Sequence, residues 1–325
     1  MPKPKYHKLE LMAQQELALQ AEEAQQANAE WYYTRVMCQI GLPASRFIDN
    51  EYARDSGRFH LVVQSPRAFS VPFGIYPRGI LTWIITEIVN RKRMSKSEGR
   101  ILQLGSSLAE FMQTVTGRSG YSGGKTGTIR PFKRQLVSLL ASRIVYWEDS
   151  ADDLKFRSME VATAGNLMWH PQILDQPGLF QSTIEVGEKF WDDCAEHGYP
   201  IDIRVVRGLW PNCLAFDIYT WLTYRAYVCL KVHRHELQVS WHMLKMQFGP
   251  QYKTLKQFRW YFLQAFKDVQ RLYPSIGFAE RPGQGITLRF RRPSVLSVGL
   301  PKSAQKGQWD GPRPALLPPP STHKS

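Results

Sequence analysis

One pattern constrains the fold of this chain more than any other. A helix signal with an apolar inward face and a basic outward face runs into two strand-like segments joined by a turn, and it occurs twice. In TIRPFKRQLVSLLAS (128–142), Ile129, Phe132, Leu136, Leu139 and Leu140 fall at helical spacing, leaving Arg130, Lys133, Arg134 and Ser138 to face out. The strand run SRIVYWE, the polar turn EDSADD and the returning run LKFRSMEVA follow. In TLKQFRWYFLQAFKDVQRLY (254–273), Leu255, Phe258, Phe262, Phe266 and Val269 point inward. Lys256, Gln257, Arg259 and Lys267, with Lys253 just ahead, point outward or sit on the helix edge. SIGFAE, the turn RPGQG and ITLRFRR then make a second hairpin.

Similar signals precede each copy. Upstream of the first, residues 77–90 start with Pro77 as a first helical residue and carry Ile80, Trp83, Ile84 and Ile88 at helical spacing. A basic turn, a short strand (100–104), a helix capped by Ser106 or Ser107 with Leu108, Phe111 and Met112 on one face, and a Gly-rich turn follow. Upstream of the second come a linking strand (180–186) and short helix (188–195). Next are a long helix (212–228), the strand LQVS, the short helix WHMLKMQFG and a Gly249-Pro250 turn. Helix, strand, helix, turn, helix and hairpin is the order of a winged helix-turn-helix. The expected fold class is therefore α+β, mostly helical, with two tandem winged helix-turn-helix domains at 66–187 and 188–293. Residues 8–36 contain no Gly or Pro and are rich in Ala, Gln, Glu and Leu, so 1–65 reads as a helical, partly mobile extension with a strand-like FHLVV (59–63) near its end. The Pro-, Ser- and Gly-rich tail, 294–325, reads as disordered.

Charge sharpens the reading. The 325 residues carry a formal net charge of +14, which calls for a polyanionic partner or a generally basic surface. The distribution separates the two. Residues 91–146 hold 11 basic and 2 acidic side chains, and residues 251–292 hold 9 and 2, while the stretch 147–250 between them is net acidic with 9 and 14. The two basic blocks coincide with the two helix-plus-hairpin signals, as expected of a chain that neutralises phosphates at two places on a duplex. No run of 18 apolar residues marks a membrane span, and residues 1–20 carry lysines but no continuous apolar stretch before a small-residue cleavage site, so they do not read as a secretory signal. Cys38, Cys194, Cys213 and Cys229 lack paired spacing and read as reduced thiols, consistent with a cytoplasmic protein.

Catalytic chemistry is hard to place. GGKTG (123–127) approaches a P-loop, but Ser119 stands where the motif requires glycine and the preceding segment is helical. The turn instead lets the next helix bring its N-terminal N–H groups to a phosphate. His233-Arg234-His235 lacks a second ligand pair and fits a solvated turn. A nicking enzyme would want a bulky apolar residue between the histidines, where Arg234 stands. The adjacent carboxylates Asp152-Asp153 and Asp192-Asp193 diverge in direction and read as solvated surface and turn. No metal, cofactor or enzymatic activity is expected. Aromatics make up 12 % of the chain, which could provide stacking platforms, but most occupy inward helical positions and read as core. Trp260 is the exception, lying among the outward basic residues of its helix.

The segment WPNCLAFDIYTWLTYR (210–225) closely resembles a signature of plasmid replication initiators of the RepA/TrfA type. Other segments are similar to that family in order: VPFGIYPRGILTWIITE, LQLGSSLAEFM, GGKTGTIRPFKRQLVSLLAS, WHMLKMQFG and FRWYFLQAFKDVQRLYP, spanning about residues 68–292. Cys213 and Phe216 depart from the smaller or aliphatic residues expected there, which bears on packing. The resemblance implies a non-enzymatic initiator with two winged helices that binds direct repeats (iterons) in duplex origin DNA. It further implies opening of adjacent AT-rich DNA, recruitment of host DnaA and replicative helicase, and exchange between monomer and homodimer. A transcriptional repressor without an initiation role, and a nicking or NTPase replication enzyme, are the alternatives.

The expected DNA contacts are Lys125, Thr126, Arg130, Lys133 and Arg134 at the first basic helix. At the second they are Lys253, Lys256, Gln257 and Arg259, with Arg289 and Arg291 on its hairpin. Arg and Gln suit base edges, Arg to guanine and Gln to adenine, whereas the lysines suit phosphates.

Overall fold

The computed structural model describes residues 30–39, 41–56, 59–105, 107–121, 127–149, 154–167, 182–290 and 294–295. The helix expected over 8–29 and nearly all of the tail lie outside them.

Helix α2 (Ile75–Arg91) follows the short helix α1 (Arg35–Gln39) and is buried on almost every side, with Ile80, Leu81, Ile84, Ile85 and Ile88 fully enclosed. A helix apolar all round can only be central. Against it pack α4 (Leu108–Thr116), α5 (Ile129–Leu140), α6 (Glu188–His197) and strand β1 (Glu30–Thr34). The short α3 (Lys96–Gly99) precedes α4, whose cap is Ser107: its Oγ accepts from the Glu110 N–H.

Four antiparallel sheets surround these helices among the described residues. One is ordered β2 (Glu51–Ser56), β3 (Phe59–Gln64), β5 (Arg143–Asp149), β6 (Leu154–Glu160). A second is ordered β4 (Ile101–Gln103), β8 (Thr183–Val186), β7 (Ala162–Asn166). A third pairs β1 with β9 (Gly198–Asp202), and the last is ordered β10 (Glu236–Ser240), β12 (Gly285–Phe290), β11 (Ile276–Arg281). The fold is thus mixed α/β, with more strand than a mostly helical reading expects.

Several expectations are corrected. Residues 30–34, EWYYT, are not helical: they pair from Glu30↔Asp202 to Thr34↔Gly198, and Tyr33 is buried against Tyr199 and Phe216. Aromatic side chains favour the pleated, half-buried surface that β9 supplies. Beyond α1, the rest of 30–65 contributes the β2–β3 hairpin, so this part is no helical extension. The β5–β6 hairpin does form, but it extends β3 and leaves β4 to pair with β8. The chain passes between the sheets at Val161, whose N–H donates to the Ser142 carbonyl and whose carbonyl accepts from Gly187. A Cβ at Gly187 would lie 2.1 Å from the Glu160 carbonyl oxygen, so only glycine permits this approach. Ser138 is buried, because Ser142, in contact with Ser65 at 3.0 Å, closes over it and donates to its carbonyl. Leu255 is exposed in the first turn of its helix, beyond the reach of the core.

The C-terminal part is built on α8 (Cys213–Lys231), capped by Asn212, with α7 (Ile203–Gly208) before it. After α8 come β10, α9 (Trp241–Phe248), α10 (Leu255–Leu272), β11 and β12. Trp241, Phe248, Phe258 and Phe262 interlock at ring separations of 5.5–6.4 Å, and Phe266 continues the stack to Phe278 on β11. Buried polar contacts weld this part to the rest. The Arg78 guanidinium of α2 meets Asp217 of α8, and Arg54 of β2 donates to the carbonyls of Met246 and Gln247 at 2.7 and 2.8 Å.

Candidate nucleic-acid interface

The first basic helix buries Ile129, Phe132, Leu136, Leu139 and Leu140, as its spacing requires. Gln135 is buried too, and its Oε1 accepts from the Phe73 N–H at 2.7 Å, fixing the helix against the loop ahead of α2. Arg130, Lys133 and Arg134 share the exposed face and have no carboxylate partner among the described residues. Lys125 and Thr126 lie outside the described residues.

On α10, Thr254 caps the helix by accepting from the Gln257 N–H at 3.1 Å. Lys253, Lys256 and Gln257 are exposed around that first turn, and neither lysine is ion-paired among the described residues. Arg259 stands on the flank rather than the outward face. Its Nε lies 2.6 Å from Glu280 Oε1 on β11, and its guanidinium sits 5.7 Å from the centre of the Trp241 ring. Arg289, exposed on β12, pairs with Glu236 of β10 at 3.2 Å, and this hydrogen bond holds the Glu236 carboxyl below its usual range. Arg291 lies outside the described residues. Both hairpin-facing arginines are therefore engaged within the protein, while the helix lysines are free to meet a ligand.

Two features escaped the sequence reading. His242 and Lys245, one turn apart on α9, line a cleft with Arg54 and Asp55 of β2. Their i, i+3 spacing was a signal, but only the fold brings β2, nearly 190 residues earlier in the sequence, to them. Asp193 is not solvated surface: it is 1 % exposed and accepts from Tyr146 of β5 at 3.0 Å, with Arg157 of β6 at 3.4 Å and His197 at 3.5 Å. Asp192 does face solvent and pairs with Lys96, while Asp152-Asp153 lie outside the described residues. His233 and Arg234 occupy an exposed turn after α8, as expected, and Arg234 donates to the Glu236 carbonyl.

All four cysteines are free, and burial pushes the Cys38 thiol up to about 12, with Cys194, Cys213 and Cys229 raised for the same reason. Among the described residues no cluster of three or more His, Cys, Asp or Glu could hold a metal ion, and no helix is long and apolar enough to cross a membrane.

The fold and its exposed side chains describe a mixed α/β protein with two cationic helices, each leading into an antiparallel hairpin. The family of plasmid-encoded RepA proteins matches residues 71–243, more than half of the chain, and the chain belongs to that family. The match runs from the approach to α2 into α9 and stops short of α10. Among solved structures, a selenomethionine derivative of domains 2 and 3 of RctB is similar, with a TM-score of 0.49 at 8 % identity, covering 80 % of this chain and 97 % of that one. No curated protein matches the sequence.

Proposed function

We propose that this chain is a plasmid replication initiator whose 66–187 and 188–293 segments act as winged helix-turn-helix domains on direct repeats in duplex origin DNA. Membership of the plasmid RepA family supports the initiator role. The observation that carries the DNA-binding reading is the free cationic turn at the start of α10, where Lys253, Lys256 and Gln257 stand exposed beside the β11–β12 hairpin. In the winged-helix arrangement α10 enters the major groove and the hairpin follows the backbone. Lysines there neutralise phosphates and release counterions, and Gln257 suits an adenine edge. Arg259 reads guanine only by leaving Glu280. The α5 face, with Arg130, Lys133 and Arg134, supplies a second set of phosphate contacts.

In this reading the protein is no enzyme. It opens DNA beside the repeats through binding energy, recruits host DnaA and helicase, and exchanges between monomer and homodimer. The test is a salt-titrated anisotropy assay of the full chain on duplex from its own plasmid origin and on scrambled duplex. A preference of about a thousandfold, with protection of regularly spaced repeats, is the expected result. Equal, steeply salt-dependent affinity for both would refute it. Supercoiled origin DNA incubated with protein, Mg²⁺ and ATP should remain un-nicked, with no phosphate released.

A further inference from the structure

Among the described residues, Trp260 is the one tryptophan that is exposed: 58 % of it faces solvent, whereas Trp83, Trp191, Trp210, Trp221 and Trp241 are buried. It stands one helical turn beyond Lys256 and one before Gln264, on the line of α10 that points away from Phe258, Phe262 and Phe266. Exposed Lys256, Lys267 and Arg271 lie along the same side of α10, one to three turns from it, with exposed Lys253 just ahead of the helix, and Asp268 is paired with Arg271 at 3.8 Å. This is an apolar ring set within a cationic face, complementary to a surface that is anionic at its edges and carries apolar groups within.

The ring is also braced. It meets Tyr261 edge-on at 4.8 Å, Tyr261 stacks on Tyr252 at 5.1 Å and 24°, and Tyr252 packs on the core residue Phe258 at 5.8 Å. Tyr252 is itself fixed by its N–H donating to the Gly249 carbonyl in the α9–α10 turn. A side chain held this way loses little rotamer freedom on binding. Phosphates give such a ring no partner. The apolar group that duplex DNA displays in the major groove is the C5-methyl of thymine.

We propose that Trp260 is a specificity-determining residue whose ring packs on a thymine methyl in the major groove, the lysines around it holding the backbone. This rests on the duplex-binding reading of α10 given above. Hydrophobic contact supplies discrimination at a position where no hydrogen bond is made, and it distinguishes thymine from cytosine and from uracil. Uracil is the sharper probe, because it pairs as thymine does and lacks only the methyl.

The experiment starts from a random duplex pool selected on the full chain, which yields a preferred duplex. Each thymine of that duplex is then replaced singly by deoxyuridine, and affinities are measured by anisotropy for wild type, Trp260→Phe and Trp260→Ala. Burying one methyl corresponds to about a fourfold change in affinity. Wild type should lose about that factor at one or two thymines and none elsewhere. Trp260→Ala should bind the thymine and uracil duplexes alike, and Trp260→Phe should retain part of the discrimination. The wild-type measurement needs no variant to fold, and an unchanged slope of log affinity against log salt for Trp260→Ala verifies that its charged face is intact. If no uracil weakens wild type, or if the uracil effect persists in Trp260→Ala, the assignment is overturned while the duplex-binding reading stands. If selection returns no preferred duplex, the duplex-specific reading falls and this one falls with it.

Discussion

Removing the Asp217 carboxylate should unfold this protein more readily than any single change on its surface. Arg78 is 1 % exposed, and all of its nitrogens are used. Nε and Nη2 donate to the two oxygens of Asp217 at 2.7 Å each, Nη1 donates to the Gly74 and Pro43 carbonyls at 2.7 and 3.2 Å, and Nη2 also reaches the Leu42 carbonyl at 2.5 Å. Burial works against this charge, yet the attraction and hydrogen bonds of Asp217 outweigh it and raise the guanidinium pKa. Asp217→Ala leaves a buried cation with only carbonyls around it, and breaking such a pair costs about 3–5 kcal/mol. The Asp217 side chain is 16 % exposed, so water can partly enter the vacated site, which favours the lower end, about 3 kcal/mol. That is a large share of the roughly 5–15 kcal/mol that keeps a domain folded. Asp217→Asn keeps the shape and one acceptor, and should cost less than alanine but at least about 1 kcal/mol. Urea unfolding followed by tryptophan fluorescence measures both. A loss below about 1 kcal/mol for Asp217→Ala would show that the guanidinium is solvated and that the α2–α8 contact is not held by this pair.

Three other perturbations have definite outcomes. Lys256→Ala should weaken binding to all duplexes alike and lower the slope of log affinity against log salt by about one unit, as titration of cognate and scrambled DNA would show. The hydrogen bond that the His197 ring donates to Asp193 raises the His197 pKa, so the folded state favours the charged imidazole. The resulting stability is fully present below about pH 6.5 and is lost as pH rises through the raised folded value. Urea midpoints at pH 6 and pH 8 should therefore differ in wild type, with the lower pH more stable, and that difference should shrink in His197→Gln. A Cβ at Gly249 would stand 2.2 Å from Phe258 Cδ2, a ring locked in the aromatic core, so Gly249→Ala should destabilise by about 1–3 kcal/mol in thermal unfolding.

Much of the architecture was legible because it is local. The apolar faces of α5 and α10 follow from residues three and four apart, and each helix needs only its own sequence to show which side it buries. A serine cap at 106 or 107, which the structure assigns to Ser107, and the two hairpins were readable for the same reason: their signals sit within a few residues of the structure they specify. Leu255 and Ser138 mark the limit. Periodicity assigns a direction, but what stands opposite that direction depends on chain far away. For Ser138 it is Ser142, itself tied to Ser65 from far earlier in the chain, and for Leu255, 42 % exposed, it is largely solvent.

The sequence by itself determined the two outward-basic helices, the hairpins behind them, and the separation of positive charge into two blocks, since each is a matter of neighbouring residues and composition. Only the tertiary structure decided which strands meet. EWYYT looked helical beside its Ala- and Gln-rich neighbours and became a strand because residues 198–202 offered it a ladder. β4 could have paired with the β5–β6 hairpin and paired instead with β8. Only the fold, too, placed Arg78 in the core, where its charge is tolerable because Asp217, 139 residues later, arrives at the same point. It likewise set Arg259 against Glu280, so that a residue read as free for DNA is held by the hairpin beside it. Pairings of this kind are fixed by the satisfaction of backbone and charged groups across long stretches of chain, and no local pattern records which partner will be brought within reach.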